Sequence, residues 1–226
     1  MVIMANEKEK IAFFDFCETI VSFQSADRYV EYVISHYSTP SIRLRHFLYK
    51  IANKYRIVKR LNKYFHLHLQ PKELILSQLR GLDKQCLDEA AKDYYEKIIR
   101  PNLIRETISE LKRLQHEGWR IVIVSGGYGI YLRYFADEHN INHADIISSN
   151  LQFKGDRFTG KMVGIDCMGD NKLELVQTRF DRNSIYSIAY SDSESDLPLL
   201  NWVDEGILVM RKQWFETYNF KLIKWG

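Results

Sequence analysis

Apolar residues follow two patterns along this chain. Short unbroken runs stand at 11–16 (IAFFDF), 120–125 (RIVIVS), 145–149 (DIISS), 187–191 (SIAYS) and 206–210 (GILVM). Runs of that length predict strands buried on both faces, as in a parallel sheet. Stretches with helical spacing lie between them, at 104–116 and 131–139. Alternating strands and amphipathic helices predict a doubly wound α/β sheet, with polar groups gathered at strand carboxyl ends.

Between the first two runs this alternation stops. Leu44, Phe47, Leu48 and Ile51 keep helical spacing, Leu74, Leu76 and Leu79 do so more loosely, and Ala90, Ala91, Tyr94, Tyr95 and Ile98 follow. Pro101 breaks the helical pattern before the second strand. The expected organisation is an α/β core, 1–20 and 101–226, with an all-helical insertion, 21–100, over the sheet. Residues 151–164 (LQFKGDRFTGKMVG) predict a separate hairpin with a Lys-Gly-Asp turn.

Charge follows the same division. The whole chain carries 32 basic and 29 acidic residues, a net +3 that is too small to argue for nucleic acid. Residues 32–72, however, hold nine basic side chains and no acid, leaving 23 basic against 29 acidic elsewhere. A basic insertion on an acidic core is expected. Cys17, Cys86 and Cys167 are odd in number and widely spaced, which suits neither a disulfide framework nor a metal knuckle. The N-terminus has charges where a signal peptide needs apolar residues, and no run approaches the ~20 apolar residues of a membrane span. The chain therefore reads as soluble and cytoplasmic.

Four polar positions stand at strand ends. Asp15 follows the first run, with Thr19 close behind; alone it is equally a helix cap. Ser125-Gly126-Gly127 follows the second, where a hydroxyl and free amides can hold an anion or simply cap a helix. Lys172 opens a predicted helix, against the dipole preference, and is either functional or solvated. Asp192, Glu194 and Asp196 crowd after the fourth run. Clustered carboxylates repel unless a cation is near, which suits Mg²⁺, although an acidic turn before a helix looks the same.

Taken in order, Asp15, Ser125-Gly126, Lys172 and the Asp192/Asp196 pair resemble the four motifs of the haloacid dehalogenase-like hydrolase superfamily. The helical insertion and the hairpin-like segment before Lys172 resemble its phosphoserine-phosphatase-like branch. That resemblance implies a Rossmann-like core with a helical cap and a Mg²⁺-dependent phosphatase. Asp15 would be the nucleophile, forming an aspartyl-phosphate, and would share the metal with Asp192 and the backbone carbonyl of residue 17. Asp196 would hold a metal-bound water or Lys172. Ser125, Gly126, Thr19 and Lys172 would receive the phosphoryl group. Gln24 and Arg56, in the insertion, would face the rest of the substrate.

One motif position departs from the family. Its phosphatases carry a second Asp two residues after the nucleophile as general acid and base, and here that residue is Cys17. A thiol can donate a proton but is a poor base, a loss of roughly 10²- to 10⁴-fold if nothing replaces it. Glu18 is the nearest substitute, although an extended segment would point it the other way. Three outcomes stay open: a phosphatase for good leaving groups, a slow enzyme or phosphotransferase, or a fold kept for binding. Dehalogenase chemistry needs no Mg²⁺ and is disfavoured by the retained Asp192 and Asp196. The branch's phosphoserine-binding Glu is Gln24 here, which argues against free phosphoserine. A small phosphorylated metabolite is expected, a sugar phosphate among the candidates. The basic, aromatic stretch 43–68 could meet a second anionic group, a lipid-linked phosphate or a membrane surface. It could also be a solvated helix face with aromatics in the core; nucleic acid is the weakest reading.

Overall fold

The computed structural model describes residues 8–54, 71–210 and 220–225. Its centre is a seven-stranded sheet in the order β4-β3-β2-β1-β5-β6-β7. The strands are β1 (Glu9–Phe14), β2 (Arg120–Tyr128), β3 (Ile146–Lys154), β4 (Arg157–Val163), β5 (Ile185–Ser191), β6 (Glu205–Met210) and β7 (Lys221–Lys224). All neighbours pair in parallel except β3 and β4. β1 lies in the middle, so the chain leaves it toward β2 on one side and returns through β5 on the other. That is the switch point where doubly wound sheets bind ligands.

The unbroken apolar runs have a simple cause. In β1, Ala12 and Phe14 join one hydrophobic cluster while Ile11 and Phe13 join a second, and β2 divides Ile121 and Ile123 from Val122 and Val124 in the same way. Both faces are covered over Ile11–Phe14 and Ile121–Val124, so these central positions are all apolar. The second cluster is closed by α7 (Asp170–Gln177) and α8 (Leu197–Trp202), through Val176, Leu199 and Leu200. The first draws on α1 (Ser25–Tyr37), α4 (Lys84–Tyr94), α5 (Arg105–His116) and α6 (Gly129–Glu138). The described part of 21–100 is helical, adding α2 (Pro40–Lys54) and α3 (Pro71–Ser77). After α4 the chain widens into a π-turn, Tyr95–Ile99, and a 3₁₀ turn at Arg100–Asn102, where Pro101 stops it.

Several sequence expectations are corrected. β1 ends at Phe14, so Asp15 and Phe16 belong to the following turn. The expected hairpin at 151–164 is present as the antiparallel β3/β4 pair, but its first strand is continuous with the expected strand at 145–149: β3 pairs in parallel with β2 over its first half, then turns its second half to β4. This hairpin also grips the insertion, through the Gly81 amide on Phe158 O (2.9 Å), the Phe158 amide on Leu82 O (2.9 Å) and the Lys84 amide on Asp156 O (2.8 Å). β7 carries no apolar run that would have betrayed it. Leu44, Phe47, Leu48 and Ile51 are helical as expected, and the face they share is exposed. No helix among the described residues is long and apolar enough to cross a membrane.

Candidate active site

The carboxyl ends of β1, β2 and β5 open into a cleft of about 810 Å³. Asp15 sits at its floor, held by its own amide on Tyr190 O of β5 (2.9 Å). Beyond it the chain turns sharply, with the amides of Ile20 and Val21 both bonded to Phe16 O at 2.9 and 3.0 Å. Glu18 takes a left-handed φ of 57° within this turn, a conformation that costs a non-glycine residue on the order of 1 kcal/mol. The segment is therefore not extended, and the expected opposition of neighbouring side chains fails. The Glu18 carboxylate accepts from Gln24 Nε2 at 2.6 Å.

Thr19 joins the first motif to the last. Its hydroxyl accepts from the Asp192 amide (3.0 Å) and lies 3.2 Å from Asp192 Oδ1 and 3.4 Å from Asp15 Oδ2. Two carboxylates thus flank one hydroxyl. Lys172 enters from the first turn of α7, whose preceding residue, Gly169, has φ 57° and ψ −136°, a combination that suits glycine. Its ammonium donates to Asp15 Oδ1 at 2.8 Å and to Asp196 Oδ2 at 2.5 Å, and all three side chains are buried. The apparently misplaced cation is a buried ion pair, not a solvated one. Asp196 also accepts from the Ser191 hydroxyl at 2.6 Å. Of the two roles open to Asp196, the geometry displays the grip on Lys172.

Ser125, Gly126 and Gly127 lie within β2, where its register with β3 shifts and not in a turn after it; Ser125 is fully buried and its Oγ accepts the Gly127 amide at 2.9 Å. Gly126 is the one of these that lines the cleft. A Cβ there would lie 2.5 Å from Met168 Cγ, so only glycine lets the backbone face the cavity unobstructed.

Charge decides what this pocket can hold. Burial raises the Asp15 carboxyl, Lys172 opposes it, and the balance is about 6. Burial, then the charges of Asp15 and Glu18, push Asp192 up to about 8. Burial pulls the Lys172 ammonium down, but Asp15 and Asp196 together outweigh it, and its pKa ends above the ordinary lysine value. Lys172 satisfies Asp15 and Asp196 and leaves Asp192 without a positive partner. A divalent cation between Asp15 and Asp192 would supply it. No three His, Cys, Asp or Glu side chains are gathered for a metal among the described residues. The donors on offer are two carboxylates, backbone carbonyl and water, a set that suits Mg²⁺, which keeps several waters.

Cys17 also lines the cleft. Its sulfur accepts the Ser25 amide (3.4 Å) and lies 3.1 Å from the Ser25 hydroxyl, which in turn is 2.7 Å from the Tyr131 hydroxyl. Burial, then Asp15, push the thiol up to about 11. At neutral pH it keeps its proton.

Two features escaped the sequence. Ser25 and Tyr131 back Cys17 from α1 and α6, and only packing makes them neighbours. Lys72, one of nine basic residues in its stretch, reaches from α3 to Gly126 O (2.5 Å), the Ser149 hydroxyl (3.2 Å) and the Asp166 carboxylate. It fastens the insertion to the irregular end of β2 that bears Gly126. Gln24 lines the cleft as expected, beside Asp27 and Glu73. Arg56 lies outside the described residues. Among those described, Lys72 is the basic residue of the insertion that lines the cleft, and Arg43, Arg45, Lys50 and Lys54 of α2 do not.

A family model for haloacid dehalogenase-like hydrolases matches residues 12–201. The fold is similar to that of a protein with unknown function from Bordetella pertussis Tohama I, at 17% identity and TM-score 0.75, covering 96% of this chain and 99% of that one. It is also similar to a phosphoserine phosphohydrolase-like protein from Francisella tularensis, at 18% identity and TM-score 0.56, covering 89% and 88%. A phospho-aspartyl intermediate analogue of phosphoserine phosphatase matches at 16% identity and TM-score 0.52, covering 90% and 87%. With the sheet order, the strand-end cleft and a family match over most of its length, the chain belongs to the haloacid dehalogenase-like hydrolases.

Proposed function

We propose that this protein is a Mg²⁺-dependent phosphohydrolase of small phosphorylated metabolites that works through Asp15, with residues 21–100 as its helical cap. The observation that carries this reading is the convergence of Asp15, Lys172, Asp192, Asp196 and Thr19, drawn from 182 positions of chain, on one largely buried cluster of hydrogen bonds. Such convergence has no role in packing an apolar core. It suits phosphoryl transfer, where positioning and neutralisation of charge do most of the work.

In this reading an Asp15 oxygen attacks phosphorus, the bond to the leaving oxygen breaks, and an aspartyl-phosphate forms. Water then attacks phosphorus, releasing phosphate and restoring the carboxylate. Lys172 lies against Asp15 and offsets the charge that accumulates between carboxylate and phosphoryl group. The Gly126 amide and the Ser125 hydroxyl, whose proton is left free by accepting the Gly127 amide, are the donors for phosphoryl oxygens. Thr19 keeps the two carboxylates apart and oriented. Asp15, Asp192 and the carbonyl of Cys17 would hold Mg²⁺, which supplies charge neutralisation of the phosphoryl oxygens when bound. With its pKa raised to about 11, Cys17 gives up its proton reluctantly, so expulsion of a leaving group that needs a proton is the step expected to be slow.

The test is phosphate release from p-nitrophenyl phosphate and a panel of phosphorylated metabolites, with and without Mg²⁺. Wild type is expected to need the metal, and Asp15→Asn to lose at least a thousandfold. Activity that survives Asp15→Asn ends the assignment.

A further inference from the structure

We propose that α2 is a docking surface for an anionic lipid bilayer. A helix on the outside of a folded domain normally turns its apolar stripe inward. α2 does the reverse. Leu44, Phe47 and Leu48 are 59%, 60% and 55% exposed, with Ile51 beside them. These four fall within about 100° of the helix circumference. The opposite side, which meets the protein, holds buried Ile42 and half-buried His46 and Tyr49, with His46 Nδ1 2.6 Å from Gln78 Oε1. The helix is therefore anchored by one face and offers an apolar stripe on the other.

What covers that stripe is decided by charge. Arg43, Lys50 and Lys54 flank it on one side and Arg45 on the other, all exposed. Arg43 and Arg45 donate to Ser38 Oγ (3.1 Å) and Arg80 O (3.0 Å), and none of the four has an ion-pair partner among the described residues. No Asp or Glu occurs anywhere in 32–72. Two copies of this face would bring like charges together, and a basic partner is excluded for the same reason. A bilayer with anionic headgroups meets both needs: the stripe enters the boundary between headgroups and acyl chains, while the cations stay among phosphates. Lysine stems can lie along the apolar surface with their ammonium groups in water. A helix of 15 residues lies in such an interface and does not span it. None of these residues lines the cleft, so the surface stands independently of the proposed chemistry.

The experiment is flotation of the full chain with phosphatidylcholine vesicles and with vesicles containing about one-third phosphatidylglycerol. Binding to the anionic vesicles alone is expected, weakened by salt. Phe47→Ser/Leu48→Ser should abolish it with the circular dichroism spectrum unchanged. Lys50→Glu/Lys54→Glu, which leaves the stripe intact, should weaken it at least fivefold for each charge reversed. No flotation with either vesicle overturns the proposal. So does self-association in solution that Phe47→Ser/Leu48→Ser removes, because the stripe would then be covered by a second copy.

Discussion

Cys17 has its sulfur bonded to Ser25 and its proton held by burial and by Asp15, so it is a spectator base at neutral pH. Cys17→Asp should raise turnover on alkyl phosphates by roughly 10²- to 10⁴-fold and on p-nitrophenyl phosphate far less, because p-nitrophenolate leaves without a proton. Equal change on both substrates would mean that another group already serves, and Glu18, whose charge is felt at Asp192, is the first to examine. Asp192 itself predicts a pH dependence. Folding raises its pKa from 3.8 to about 8, so the metal-free folded state holds a proton that the unfolded chain has released. Its contribution to stability is whole below pH 3.8 and fades as pH rises toward 8. In chelator, Asp192→Asn should therefore gain stability relative to wild type between pH 5 and pH 8. The gain should be on the order of 2 kcal/mol, reduced by partial exposure to solvent. Melting curves at the two pH values check this, and a constant difference would remove Asp192 from the repelling pair.

Elements differ in how openly they announce themselves. β1, β2, β5 and β6 are legible because each is buried on both faces along its middle, which makes that stretch a nearly continuous apolar run. The junction of β3 with its hairpin is not legible, since one strand changes partners halfway and no residue records the change. α2 carries a correct helical period with the wrong orientation, because periodicity says which residues share a face and not what the face meets. α3 shows a third case: Lys72 looks like one cation among many, and its bond to Gly126 O exists only because the helix is set against the end of β2. Lys72→Met would leave the half-buried Asp166 carboxylate with Ser149 alone and is expected to cost about 1 kcal/mol. It would also free the Gly126 peptide, so KM for a small phosphate ester should rise about tenfold with kcat less affected. Steady-state kinetics and melting curves together separate the two effects. A lower melting temperature at unchanged KM would reduce Lys72 to a tether.

At the scale of the molecule, sheet and insertion share one hydrophobic cluster, and the ion-pair network at the strand ends carries negative charge that wants a cation. Mg²⁺ with inorganic phosphate should therefore stabilise the whole fold. At a hundred times the dissociation constant the gain is about 2.7 kcal/mol, or roughly 5–10 °C in melting temperature for a chain of this size. Asp192→Asn should lose most of that shift, and an equal shift in both proteins would place the metal elsewhere. The sequence by itself determined the α/β alternation and singled out Asp15, Ser125, Gly126, Lys172, Asp192 and Asp196 as candidates at or near strand ends. It could do so because burial on both faces dictates composition and because strand ends in such sheets collect polar groups whatever the intervening chain. Tertiary structure alone decided that Lys172 lies between two carboxylates, that Lys72 crosses to Gly126, that Ser25 and Tyr131 back the thiol, and that the apolar stripe of α2 faces outward. The first three are contacts between elements distant in the chain and the last is a face left without one; all are fixed by how the elements pack, which no local pattern of residues encodes.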